Sequence, residues 1–333
     1  MTTDHYLSYD LDKKVILYKK NINDPISPAS ITKLMTALIL YENSELDDLV
    51  FISYPDQYDF EGKVAYLTEG SEISVEQLLE FILVYSANDS AYAAGMHVSN
   101  SIKDFIQLMN TRAKQLNMSN TNFQNPDGLD KENHYTTLND LLILSEYILR
   151  NTKLIDITKK SKFYYEQNGK LEKYENTNLI LMNGFKGLKT GWTSRAGLTF
   201  IGYNQENNRN ILTIVNKSFV NENKDKHFED TLLLYNESLT NFQDQLLLSK
   251  SDYVYKITNP NESSFHSYNY EFYKFGNINI SKILYLKSID SSNIIYNNNF
   301  DDETLNINLY KSKNSIQYNF FMSNAISKIV SSN

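Results

Sequence analysis

The hydrophobic period of this chain changes from strand to helix and back to strand, and that order limits how it can fold. Residues 6–18, Tyr-Leu-Ser-Tyr-Asp-Leu-Asp-Lys-Lys-Val-Ile-Leu-Tyr, give two strand-like pieces around a polar turn and predict a starting hairpin. Pro25 and Pro28 break the chain, and from Ile31 to Tyr41 the residues Leu34, Met35, Leu38 and Ile39 recur at helical spacing. That spacing predicts a helix with Ser30 in its first turn. Further helices are expected over 74–84, 89–98, 101–116 and 137–150. Between Leu179 and Ser218 the texture returns to strands: Gly197–Tyr203 and Asn210–Val215 are joined by the polar loop Asn204–Arg209, with Lys189–Gly191 on the strand before them. A helix over Asp225–Phe242 closes the pattern. A helical subdomain, about 30–178, is therefore inserted after the first strands of a sheet subdomain.

Beyond Leu248 the helical period fades, and Leu305, Ile307 and Leu309 alternate with Asn306 and Asn308. The expected organisation is a larger domain over 1–248 and a small all-β domain over 249–333. A length of 333 residues, 41% of them hydrophobic, is ample for two such cores.

Several function classes are excluded. A net charge of -8, with no Lys/Arg cluster on a helical period, leaves no basic face to follow a phosphate backbone, so nucleic acid is not an expected partner. The absence of cysteine removes disulfides, thiolate-bound zinc and thiol catalysis. The histidines His5, His97, His134, His227 and His266 are scattered, with no pair at metal-ligand spacing, and read as surface or packing residues. No metal and no cofactor are expected. The amino terminus lacks a basic segment followed by an apolar run, and no apolar stretch approaches the roughly 18 residues of a membrane span. The chain as given reads as soluble.

Three short strings carry the chemistry: Ser30-Ile-Thr-Lys33, Ser86-Ala-Asn88 and Lys189-Thr-Gly191. A serine hydroxyl needs a nearby base, a proton path to the leaving group and donors for the developing oxyanion. Residues three apart on a helix share a face, so Ser30 and Lys33 can come within hydrogen-bond reach. For Lys33 to act as base its pKa must fall, through burial and a second cation, for which Lys189 is the natural candidate. The Ser30 amide can serve as one oxyanion donor and the Trp192 amide as the other. Each string also has a plainer reading: Ser30 and Ser86 as helix caps, Lys33 as a solvated charge, Lys189–Gly191 as a strand and turn. Yet Ser30–Lys33 is the only Ser-x-x-Lys in the chain, and the three strings stand in a workable order.

With their flanks, Pro28-Ala-Ser-Ile-Thr-Lys-Leu-Met-Thr-Ala, Asn125-Pro-Asp-Gly-Leu-Asp and Gly187-Leu-Lys-Thr-Gly-Trp-Thr-Ser-Arg-Ala-Gly, these strings resemble the serine-type D-alanyl-D-alanine carboxypeptidases among the low-molecular-mass penicillin-binding proteins. The likeness covers roughly residues 6–245. It implies an α/β protein with a penicillin-binding/β-lactamase-like transpeptidase fold, antiparallel sheet plus helical subdomain, and a small C-terminal all-β domain. It implies Ser30 as acylated nucleophile, Lys33 as base, Ser86 and Asn88 completing the proton path, and Lys189 and Thr190, with Gly191 and Trp192 beside them, on the substrate side. The implied partners are the D-Ala-D-Ala end of peptidoglycan stem peptides and β-lactams. Relatives are exported and often anchored at the carboxy terminus. Neither signal nor anchor is in this sequence, so a trimmed form of an extracytoplasmic protein is expected.

Two positions depart from the pattern: Asp127 stands where relatives often have His, and Lys226 lies near the usual place of an Arg that holds the terminal carboxylate. A class A-like β-lactamase is a competing reading, weakened because no Glu occurs between Ser86 and Glu132. A non-catalytic wall-binding or penicillin-sensing protein on the same fold is another.

Overall fold

The structure, a computed structural model, describes residues 1–206, 209–222 and 224–242, and beyond them only the backbone of the strands given below. The chain divides into two compact units, Met1–Ser238 and Leu239–Asn333.

In the first unit the expected hairpin is β1 (His5–Asp10) and β2 (Val15–Lys20). A 3-10 turn, Ala29–Thr32, leads into α1 (Lys33–Glu42). The short strands β3 (Leu49–Phe51) and β4 (Glu72–Ser74) pair next, and α2 (Val75–Glu80) runs into a π turn over Phe81–Tyr85. Helices α3 (Asn88–Ser99), α4 (Ile102–Gln115), α5 (Leu138–Asn151) and α6 (Leu154–Thr158) follow. A hairpin of β5 (Lys162–Gln167) and β6 (Lys170–Glu175) precedes β7 (Phe185–Thr193), β8 (Gly197–Glu206), β9 (Arg209–Ser218) and α7 (Lys226–Asn241).

The main sheet is antiparallel in the order β2-β1-β9-β8-β7, so the first strand pairs with the last, Leu7 opposite Ile214. That pairing is what makes the helical block an insertion. On one face Leu7, Tyr9, Ile201, Leu212 and Ile214 join the core of the helical part. On the other, Phe200 and Phe185 meet Phe228 and Tyr235 of α7 edge-on at 5.2 and 5.1 Å.

Helix α1 is buried from Lys33 to Leu40 on every side, the behaviour of a helix whose apolar residues run all round. Leu34, Leu38 and Leu40 are fully covered, each contributing about 1.5–3 kcal/mol of burial. Caps fix the ends of its neighbours: Ser74 Oγ accepts from Gln77 N at 3.2 Å and Thr137 Oγ1 from Asp140 N at 3.1 Å.

Three expectations need correction. Ser30 sits in the 3-10 turn rather than the first α-helical turn, with Pro28 in the N-cap position; the tighter winding eclipses residues three apart and brings Lys33 under Ser30. The helix expected over 74–84 changes to a π turn after Glu80, because it must end at Ser86 in a left-handed conformation with φ 72°. The block 30–178 is also not all helical. It holds two hairpins, the second of which sets Phe163 and Tyr174 edge-on against Phe81 at 4.8 and 4.7 Å.

In the second unit, strand β12 (His266–Phe275) pairs with β10 (Asp244–Leu248), β11 (Tyr255–Ile257) and β13 (Ile278–Lys287), and β14 (Thr304–Lys311) forms a hairpin with β15 (Asn314–Phe321). The rest of the all-β domain expected over 249–333 lies outside the described residues.

Candidate active site

The three strings meet around one cleft of about 870 Å³ whose lining includes Ser30, Ser86, Asn88, Thr190, Gly191 and Trp192. Lys33 and Lys189 lie behind that wall, 0% and 2% exposed.

Lys33 Nζ donates to Ser30 Oγ at 3.1 Å, Asn88 Oδ1 at 2.6 Å and the Asp127 carbonyl at 2.7 Å. Three acceptors match its three protons, so the ammonium is fully hydrogen-bonded although buried. Burial nevertheless lowers its pKa to about 8; the Asp127 and Asp89 carboxylates oppose the shift and Lys63 adds to it. Lys189 was the expected second cation. It faces Lys33 and is itself held well below the ordinary lysine range, first by burial and then by Lys33 and Lys63, so Lys63 joins it as a further cation at the site.

Asn88 is fixed from both sides, its N–H and side-chain amide donating to the Lys63 and Glu61 carbonyls, each at 2.7 Å. Ser86 Oγ accepts from Lys189 Nζ at 2.8 Å, and Lys189 also donates to the Thr190 carbonyl at 3.0 Å. A non-glycine residue in the left-handed region is strained; here it aims Ser86 Oγ at Lys189. Thr190 Oγ1 donates to Thr177 Oγ1 at 2.7 Å on the cleft wall.

The nucleophile's turn is clamped between two backbones. A Cβ on Gly191 of edge strand β7 would stand 3.0 Å from Ser30 N, and one on Gly128 would overlap the Ala29 carbonyl at 1.8 Å. Gly128, at φ 93°, belongs to the loop Asn125–Asp130. Thr36 Oγ1 donates to the Pro126 carbonyl at 2.6 Å, Gly128 N to Asn125 Oδ1 at 2.8 Å, and Thr193 Oγ1 to Asp130 Oδ1 at 2.8 Å. The loop thus ties α1 to the end of β7. Asp127 turns inward. Its Oδ1 accepts from Leu129 N at 3.3 Å, its Oδ2 is buried with no partner, and burial raises its pKa against the pull of Lys33.

Lys226 does not reach the cleft. It pairs with Glu229 at 2.6 Å, because its position in the first turn of α7 sets the two side chains three residues apart on the solvent face. Lys224 lines the cleft instead, its Nζ 3.9 Å above the Trp192 ring. His227, buried and lowered to about 4 by burial, is a neutral wall beside it. The sequence strings also left out Asp89, whose carboxylate accepts from Ala65 N and Leu67 N at 3.0 and 3.1 Å. Its place directly after Asn88 was the available signal. Lys63 and Lys224 carried none. Among the described residues no His/Asp/Glu cluster could hold a metal ion.

The peptidase S11 family model, described as D-alanyl-D-alanine carboxypeptidase, matches residues 1–219. The carboxypeptidase DacF of Bacillus subtilis is 31% identical over 212 residues, 61% of this chain and 54% of that protein. DacA of Haemophilus influenzae is 28% identical over 229 residues, 65% of this chain and 57% of that protein. The chain spans about half the length of these curated relatives. Among solved structures, cefotaxime-bound penicillin-binding protein D2 of Listeria monocytogenes superposes with a TM-score of 0.63 at 30% identity, covering 71% of this chain and 96% of that one. DacD of Francisella tularensis, at 20% identity, shares the fold with a TM-score of 0.70 over 97% of this chain and 94% of its own.

Proposed function

Since the chain belongs to the peptidase S11 family of D-alanyl-D-alanine carboxypeptidases, we propose that it removes the terminal D-alanine from peptidoglycan stem pentapeptides through an acyl-enzyme on Ser30. The observation that carries this reading is the set of three bonds from Lys33 Nζ, which joins Ser30, Asn88 and the Asp127 loop at the floor of the cleft.

In this mechanism neutral Lys33 takes the Ser30 proton as Oγ attacks the penultimate D-Ala carbonyl. The oxyanion is held by the N–H groups of Ser30 and Trp192, and Gly191 lets β7 lie against the Ser30 turn, where a Cβ would stand only 3.0 Å from Ser30 N. Ser86 passes its hydroxyl proton to the departing D-alanine amine as the C–N bond breaks and regains one from protonated Lys33, which is then neutral again. Water then attacks the ester, its proton returning to Lys33 and the released Oγ regaining one. Lys189 keeps Ser86 oriented, and its burial leaves Thr190 Oγ1 and Lys224 as the groups facing the substrate carboxylate.

Penicillins resemble the acyl donor and should form a lasting ester on Ser30; the Listeria relative is described in ampicillin-bound and cefotaxime-bound forms. Asp127 is a poor deacylating base, its free oxygen being buried away from water, which weighs against the lactamase reading. The site of action is outside the cytoplasmic membrane; among the described residues no helix is long and apolar enough to cross one. Residues 249–333 are proposed to form a small all-β domain that holds the catalytic unit off the membrane.

Two measurements test this. Intact-mass analysis after penicillin treatment should show one adduct, absent in Ser30→Ala. D-alanine should be released from a diacylated D-Ala-D-Ala peptide. No adduct, or an adduct that survives Ser30→Ala, overturns the assignment, and rapid loss of the adduct favours a lactamase.

A further inference from the structure

An aromatic ladder climbs from helix α3 to the surface. Tyr58 packs against Tyr92 at 4.5 Å and stacks on Tyr54 at 5.2 Å; Phe60 sets its edge to both Tyr58 and Tyr54. Tyr66 stacks on Phe60 with centroids 5.8 Å apart and 26° between planes. Phe60 is 39% exposed and Tyr66 65% exposed, so one face of the last ring is left to solvent.

The backbone is strained to keep it there. Tyr66 has φ 54°, an outlier for a bulky side chain. Its neighbours Ala65 and Leu67 are pinned through their N–H groups to the buried Asp89 carboxylate, and its own carbonyl accepts from Gln167 Nε2 at 2.9 Å. Strain of this kind persists only where the surroundings enforce it, and it clusters at ligand sites. The chain runs from the platform into the cleft wall: Glu61, Gly62 and Lys63, which directly follow Phe60, line the cleft, and Lys63 Nζ lies 4.0 Å over the Tyr85 ring.

The composition of this patch selects its ligand. The ladder ends in an exposed ring that has a flat apolar face and a polar hydroxyl at its edge, which suits an amphipathic partner. A pyranose is amphipathic in the complementary way, with C–H groups on one face for an aromatic ring and hydroxyls at its edge for a polar group such as Glu61 of the cleft lining. Resting on the proposed peptidase function, a stem peptide in the cleft carries such a sugar at its far end. We propose that Tyr66, backed by Phe60, is a saccharide-stacking subsite that takes the amino sugar to which the stem peptide is attached.

The test uses the whole chain and two probes, a diacylated D-Ala-D-Ala peptide and a disaccharide-pentapeptide, together with the peptide-free N-acetylglucosaminyl-N-acetylmuramyl disaccharide. Tyr66→Ala should lower kcat/KM for the disaccharide-pentapeptide about tenfold through KM, the scale of one aromatic contact, and leave the plain peptide unchanged. Tyr66→Phe, which keeps the ring, should behave as wild type. Saturation-transfer NMR should detect the free disaccharide on the wild-type chain and not on Tyr66→Ala. An equal loss on both substrates, no loss on either, or no disaccharide binding by the wild type overturns the subsite. Failure to cleave the plain peptide overturns the peptidase reading instead, because disaccharide binding does not depend on cleavage.

Discussion

Asp127 gives Lys33 its backbone carbonyl at 2.7 Å while its own carboxylate, buried beside the same ammonium, keeps Oδ2 without a partner. The carboxylate favours the charged lysine and opposes burial, the largest influence on a group whose pKa is about 8. Only neutral Lys33 can accept the Ser30 proton, so acylation should rise with pH through a midpoint near 8 and level off about one unit above it. Asp127→Asn removes the negative charge and keeps an acceptor for Leu129 N. With Asp89, Lys63 and Lys189 still facing the lysine, its pKa falls further, and the acid limb should move to lower pH. Stopped-flow penicillin acylation across pH 5–9 checks this; a lower rate with an unmoved limb would confine Asp127 to shaping its loop.

Lys33→Ala should cut acylation by about 10²–10⁴, the usual contribution of a general base. The Asn88 and Ser30 side chains and the Asp127 carbonyl lose their donor, but water can enter the polar gap from the cleft. Penicillin adduct formation measured against circular dichroism separates the two effects. A near-normal rate would mean that another group takes the proton, with Lys189 the first to examine.

The periodicity of Leu34–Ile39 and of the strands after Leu188 made the order of elements readable, because each face has only one core to cover. Local geometry was not readable in the same way. The 3-10 turn at Ala29–Thr32 and the π turn before Ser86 are imposed by what they must aim, and neither alters the hydrophobic pattern. The β5–β6 hairpin escaped notice because, among its strand residues, only Phe163, Tyr165 and Tyr174 are buried. The motif residues were legible because chemistry fixes their types. Lys63 and Lys224 were not, since their contribution is a charge delivered from a loop, and any spacing can deliver it.

Replacing each of two lysines two residues apart should give opposite results. Lys226→Ala removes an exposed pair with Glu229 and should leave turnover and Tm essentially unchanged. Lys224→Ala removes the cation above Trp192 in the cleft and should raise KM for a substrate with a free terminal carboxylate, with kcat held. An unchanged KM in Lys224→Ala would leave Thr190 as the main carboxylate contact.

Two glycine replacements should separate stability from catalysis. In Gly128→Ala the new Cβ would fall 1.8 Å from the Ala29 carbonyl oxygen, on a backbone at φ 93°. Both chains are backbone there, so neither can give, and the cost should exceed the roughly 1–3 kcal/mol of ordinary overpacking, with a large drop in Tm. In Gly191→Ala the new methyl would meet Ser30 N at 3.0 Å and Thr199 Cγ2 at 2.9 Å. Residue 191 needs no left-handed backbone and β7 is an edge strand, so the strand can step away from the Ser30 turn. That movement widens the space between the Ser30 and Trp192 N–H groups, where the oxyanion is proposed to sit. Gly191→Ala should therefore keep most of its Tm and lose about 10²-fold in acylation rate, the scale of one misplaced oxyanion donor. If its acylation fell only in step with its stability, the Trp192 amide would have no special part in the reaction.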